Sequence, residues 1–203
     1  YLSRVLRPTS SVRNINKKGG KGKAGVLLPL CNHEGEAALL FTKRTDSVGS
    51  HKGQVCFPGG KFDEEDGDTI HTALRESHEE VGLSHSIPQV LGVLAPTMSV
   101  THLWVTPVVG FLGDTSQLQL KPSESEIEAY FYLKLSELTD PNKQDDMYVS
   151  YPSLDSKHPS QIRTKRYLAG KWPVWGLTAH FVTEFLKIAF PPSPSSPSPS
   201  SPS

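Results

Sequence analysis

The chain has 203 residues, 36% of them hydrophobic, a size that favours one well-filled core flanked by tails over two domains. Its 21 basic and 21 acidic residues cancel, which excludes a global electrostatic pull toward nucleic acid or an anionic membrane. Cys31 and Cys56 lack CxxC spacing, and the longest apolar run, Ala24 to Cys31, falls far short of the roughly 20 residues of a spanning helix. Neither a zinc site, a disulfide framework nor a membrane span is indicated, and the chain reads as soluble, from a reducing or redox-indifferent compartment.

Residues 1–22 form a basic, acid-free arm: Arg4, Arg7, Arg13, Lys17, Lys18, Lys21 and then Lys23 all precede the first acid, Glu34. Such an arm is similar to a mitochondrial transit peptide and equally to a flexible basic leader, and both readings stand. The globular domain is expected at 23–190, and the Pro/Ser run from 191 to 203 is low-complexity sequence that cannot bury a core.

Within the domain, "AGVLLPL" and "EAALLFTKR" read as strands joined by the turn "NHEG", and "QVCFPGG" as a third short strand. Pro58-Gly59 has the residue order of a type II turn. The acidic loop "KFDEEDGD" then delivers Asp68 as N-cap of a helix over "TIHTALRESHEEVG". Its stripe of Ile70, Ala73, Leu74, Ser77 and Val81 faces the core, and Gly82 ends it. Further on, "QVLGVLAPTMS", "LWVTPVVGFLG" and "EAYFYLKLSEL" are strand-like, and "LTAHFVTEFLKIAF" has helical spacing at Leu177, Phe181, Phe185 and Ile188. Strands alternating with helices predict a mixed α/β domain with helices packed over a sheet.

On a helix turning about 100° per residue, Glu76 and Glu80 lie about 40° apart and Glu79 about 60° to the other side of Glu76. Three carboxylates on one face repel one another by a few tenths of a kcal/mol per pair, so the face is either solvated or waiting for a cation. Oxygen-only donors suit a hard divalent ion such as Mg²⁺, which takes one or two carboxylates plus water and phosphate oxygens. Alone, the triplet fits a solvated surface better than a site.

The wider segment "FPGGKFDEEDGDTIHTALRESHEEVGL" resembles the Nudix hydrolase signature, G-x5-E-x7-R-E-U-x-E-E-x-G-U with U apolar. Arg75, Glu76, Glu79, Glu80, Gly82 and Leu83 match it; Asp66 replaces the first Glu, eight residues rather than seven separate it from Arg75, and Ser77 stands at an apolar position. The one-residue extension and the Asp are similar to the coenzyme A diphosphatase branch. That branch has an upstream signature, approximately L-L-T-x-R-S/A-x3-R-x3-G-x3-F-P-G-G. "LFTKRTDSVGSHKGQVCFPGG" reproduces it at Leu40, Thr42, Arg44, Gly53 and Phe57 to Gly60; Phe41, Thr45 and Gly49 depart from it. The likeness runs from about Gly22 to Trp175 and is nearest to the mitochondrial-type paralogue of animals.

The resemblance implies a Nudix fold, a mixed β-sheet sandwiched between α-helices, and metal-dependent hydrolysis of a diphosphate in a small-molecule substrate, coenzyme A or its esters. Nucleic acid and membrane are not expected as partners, and monomer and homodimer are both compatible. It implies Mg²⁺ or Mn²⁺ held principally by Glu76 and by Glu80, which counts among the catalytic residues too, with Glu79 a further ligand, often through water, or a participant in activating the nucleophile. Arg75 is expected to pair with a carboxylate and hold helix and loop together. Arg44, His51, Lys52, Gly59 and Gly60 are substrate-binding candidates. Downstream, Glu126 matches the first acid of an E-V-x-E-V-F-like run and is a candidate base, while Ala129 stands where the second acid is expected and Glu128 is its neighbour. Trp172 and Trp175 are expected to anchor the last helix. The basic arm favours mitochondria over cytoplasm. Two other functions remain open at this point: a Nudix hydrolase acting on ADP-ribose, a dinucleotide or capped RNA, and a non-catalytic nucleotide-binding module, which would have no need of all three carboxylates.

Overall fold

A strand with apolar side chains on both faces must be covered on both, and the runs "VLLPLC" and "AALLF" are such strands. The computed structural model describes residues 6–8, 22–46, 52–151 and 160–191. His51, Gly49, most of the basic arm and the Pro/Ser tail lie outside the described residues. Strands β1 (Gly22–His33), β2 (Glu36–Arg44), β3 (Val55–Cys56), β4 (Gly59–Lys61), β5 (Gln89–Val93), β6 (Thr97–Met98), β7 (Leu103–Asp114) and β8 (Ile127–Lys134) join into one sheet. β1 pairs parallel with β7, and the other pairings are antiparallel, so the sheet is mixed.

Alternation along the central strands divides the core in two. Leu28, Leu30, Leu39, Phe41, Val105 and Val109 face the last helix, α3 (Gly176–Ala189), through its Ala179, Phe181, Val182 and Phe185. Leu27, Cys31, Ala38, Leu40, Val108 and Leu112 face α1 (Thr69–Val81) through its Ile70, Ala73 and Val81. The sheet is thus sandwiched between helices, as the resemblance implied. Trp172 packs on this core beside Phe131, ring centroids 5.4 Å apart, and Trp175 is the N-cap residue of α3.

The predicted helix and both of its caps are present. Asp68 accepts from the backbone N–H groups of Ile70 and His71, and Gly82 takes the left-handed conformation at φ 70°. Within the stripe, Leu74 is only half-buried, and Glu80 is buried with the apolar residues instead. α1 also sits unusually close to the sheet: a Cβ on Gly25 would lie 2.1 Å from the Thr69 carbonyl oxygen.

Two other expectations are corrected, and one element was not foreseen. Pro58-Gly59 does not make a type II turn: Gly59 has φ 158°, at the edge of extended backbone rather than near the turn's roughly +80°, and it begins β4 by pairing with Val26. The strand over "EAYFYLKLSEL" stops at Lys134, where α2 (Leu135–Thr139) begins. A hairpin that sequence patterning did not reveal, β9 (Gln144–Tyr151) with β10 (Ser160–Tyr167), forms a separate two-stranded sheet.

Residues 6–8 of the basic arm lie against the domain. Arg7 and Val93 exchange backbone hydrogen bonds of 3.2 and 3.1 Å, and Leu6 is 5% exposed within the α3-side core. Gly92 makes room for it, since a Cβ there would lie 2.7 Å from that of Leu6.

Candidate active site

The site gathers where β2, β4, the loop before β8 and α1 meet, and each element contributes what its geometry dictates. α1 presents its three acids at graded depths: Glu80 is 2% exposed, Glu76 18% and Glu79 52%. Burial pushes the Glu80 carboxyl up to about 7, and the charge of Glu76 adds to that, against the opposing pull of Arg44 and the Gly59 N–H. Glu76 is likewise raised, first by burial, with Glu79 and Glu126 contributing through their charges while Arg75 opposes them.

Arg44 and Glu80, 36 residues apart, meet at 2.6 Å between Nη1 and Oε1. The other Glu80 oxygen accepts the Gly59 N–H at 3.1 Å. Arg44 Nη2 reaches Glu126 at 3.5 Å. Glu126 gets there because β8 carries a bulge: the register with β2 runs Lys43↔Ala129 and then Arg44↔Ile127, leaving Glu128 as the extra residue. Glu128 pairs with Lys43 and leaves Arg44 to Glu126.

Arg75 binds a carboxylate, as expected, and the principal one is Asp66. Its Nε and Nη2 donate to the two Asp66 oxygens at 2.7 and 3.1 Å, and Nη2 also reaches the Lys61 carbonyl at 3.2 Å. Thr72 Oγ1 and the Asp63 N–H donate to the same carboxylate. Arg75 holds Asp66 well below the ordinary carboxylate range, at about 2. Its remaining nitrogen, Nη1, lies 3.0 Å from both Glu76 and Glu79. The helix, the acidic loop and β4 are therefore tied by one guanidinium.

Gly60 lets backbone and carboxylate approach: a Cβ there would lie 2.3 Å from the Glu76 carboxyl group. Lys52 is exposed, in the turn before Gln54. Arg44, Gly59, Gly60, Arg75, Glu76, Glu79, Glu80 and Glu126 are brought together. Asp66, Thr72 and Lys43 were not singled out as site residues from the sequence; the acid at Asp66, with the one-residue signature extension between it and Arg75, was the available signal for the first.

The donor set suits a hard divalent cation. Asp66, Glu76, Glu79, Glu80 and Glu126 place five carboxylates against the two guanidiniums of Arg44 and Arg75, and all donors are oxygen. As they stand, no three His, Cys, Asp or Glu side chains among the described residues close round one point. An open carboxylate face fits an ion that draws its remaining ligands from water and phosphate.

Comparison with known proteins bears on the family and the fold. A NUDIX domain model matches residues 21–154. An uncharacterized Nudix hydrolase, NudL, of Enterobacter sp. (strain 638) is 37% identical over 202 residues, 95% of this chain and 95% of the relative. A mitochondrial coenzyme A diphosphatase of Mus musculus, NUDT8, is 38% identical over 169 residues, 83% of this chain and 78% of the relative. Among solved structures, a MutT/nudix family protein from Enterococcus faecalis superposes with a TM-score of 0.52 at 14% identity, covering 89% of this chain and 67% of that one, a likeness of fold.

Proposed function

The chain belongs to the Nudix hydrolase family, and from that premise we propose that it hydrolyses the diphosphate bond of coenzyme A or acyl-coenzyme A. The products are adenosine 3′,5′-bisphosphate and 4′-phosphopantetheine or its acyl derivative. The observation that carries this reading is the Arg44–Glu80 contact, in which the upstream signature characteristic of the coenzyme A branch touches the metal-face helix. The diphosphatase relative supports the same substrate.

A bound Mg²⁺ or Mn²⁺ would neutralise diphosphate charge and acidify a water molecule. Glu76, Glu79 and Glu80 are the residues to hold it, and the chain's other groups do the rest. Glu126 or Glu79 accepts the proton of the attacking water as the new P–O bond forms and the bridging P–O bond breaks. Arg44, with Lys52 and His51, supplies phosphate donors. Arg75 fixes α1 against the Asp66 loop, and the Gly59-Gly60 backbone keeps the carboxylates close to the sheet. Among the described residues no helix is long and apolar enough to cross a membrane. The basic arm and the mitochondrial relative support a mitochondrial location.

The test is hydrolysis of coenzyme A with Mg²⁺ or Mn²⁺ beside a panel of ADP-ribose, dinucleotides and capped RNA, together with Glu80→Gln. Coenzyme A is expected to be the fastest substrate, and the substitution is expected to lower kcat about a hundredfold or more. A faster rate on another compound would reassign the substrate; full activity in Glu80→Gln would remove the mechanism.

A further inference from the structure

Each oxygen of Glu80 already accepts one hydrogen bond, from Arg44 Nη1 at 2.6 Å and from the Gly59 N–H at 3.1 Å, so a cation bound there would share a buried carboxylate with these donors, one of them a full positive charge. We propose that Arg44 is the displaceable one: a divalent cation entering at Glu80 drives the guanidinium off, and the freed fork then takes a phosphate of the substrate. The proposal rests on the reading of the carboxylate face as a cation site, and it adds an order of events, cation before diphosphate.

The two donors differ in what holds them. The Gly59 N–H belongs to β4, paired to β1 through Val26↔Gly59, and the Pro58 carbonyl is bound by Leu27 N–H at 2.8 Å. The strands approach so closely that a Cβ on Gly59 would lie 2.6 Å from the Val26 Cα. That donor cannot retreat without moving the sheet. Arg44 ends its strand, and its side chain is 16% exposed.

Its hold on the site is also incomplete. Nη1 is tight on Glu80, Nη2 is a long 3.5 Å from the half-exposed Glu126, Nε is buried with no oxygen acceptor among the described residues, and the guanidinium's other neighbour is the weakly accepting Cys56 thiol. Arg75 makes the contrast, with Nε and Nη2 both on Asp66 and Nη2 also on the Lys61 carbonyl. A cation at Glu80 would stand beside the Arg44 charge on one carboxylate, and the repulsion falls on the weaker-held group. Glu126, at the exposed side, remains as the pivot on which the guanidinium swings outward. A guanidinium fork released from its carboxylate is a bidentate phosphate donor. Arg44 therefore positions Glu80 first and contacts substrate second.

Nitrogen-15 NMR of the arginine side chains in the full chain, titrated with Mg²⁺ alone, tests this, with calorimetry recording whether Mg²⁺ binds. As Mg²⁺ saturates, the Arg44 Nε–H signal is expected to shift and its exchange with water to quicken several-fold, while that of Arg75 holds. Inorganic pyrophosphate at fixed excess Mg²⁺ is then expected to slow exchange at Arg44 again. An Arg44 signal unchanged at Mg²⁺ saturation overturns the proposal and leaves the cation site standing. Pyrophosphate acting equally on Arg44 without Mg²⁺ overturns the order. No binding of Mg²⁺ by calorimetry overturns the cation reading and the proposal with it.

Discussion

Replacing Asp66 by Asn keeps the shape of the side chain and removes its charge, which isolates the ion pair joining the acidic loop to α1. The Asp66 carboxyl is 4% exposed and is drawn from the ordinary 3.8 down to about 2, chiefly by the Arg75 hydrogen bonds. At about 1.4 kcal/mol per pH unit, that depression corresponds to about 2 kcal/mol of folding stability at neutral pH. The folded-state pKa is the lower one, so this contribution is complete above pH 3.8 and is lost as pH falls through about 2. Urea unfolding of the unaltered chain and Asp66→Asn, followed by tryptophan fluorescence between pH 7 and pH 2.5, reads the difference directly. The gap is expected to be about 2 kcal/mol from pH 7 to pH 5 and to narrow steadily below pH 4. A gap under about 0.5 kcal/mol at pH 7, or one that stays constant below pH 4, would refute the assignment of Asp66 as the partner that secures Arg75.

Gly60→Ala places a methyl group where Glu76 now lies, and the displaced carboxylate is expected to cost about a hundredfold in kcat/KM with the far-ultraviolet circular dichroism unchanged; near-normal activity would show that Glu76 is not needed in that position. Leu6→Ala empties a buried place beneath the β5 edge and is expected to lower stability by about 2 kcal/mol in urea. A change below about 0.5 kcal/mol would mean that residues 6–8 do not help to hold the domain.

What was legible in the sequence is what local chemistry determines. Asp68 and Gly82 mark the two ends of α1 because a cap is a contact between near neighbours, and the spacing of Glu76, Glu79 and Glu80 fixes their common side. What was not legible depends on distant partners. Gly59 follows a proline and so carries a turn signal, but its pairing with Val26 decides its conformation. The depth of Glu80 depends on Arg44 and on a core that the helix stripe alone assigns to Leu74. The β9–β10 hairpin has little apolar alternation to betray it; in its register Asp145 faces Arg166 and Asp146 faces Lys165, and Asp146 also pairs diagonally with Arg163. Leu6 is one of several apolar residues in a basic stretch, and only the space above Gly92 shows where it goes.

The hydrogen bond from Gly59 to Glu80 has an uncommon kind of robustness. Its donor is main chain, so no exchange of side chains can delete it, and proline alone among the amino acids lacks the N–H. Larger residues at 59 are barred for a separate reason, the nearness of Val26. Random mutagenesis would thus reveal position 59 as intolerant while giving no hint of its electrical part in the site. That part would show only on exchanging the amide for an ester, which preserves the glycine and removes the proton it donates.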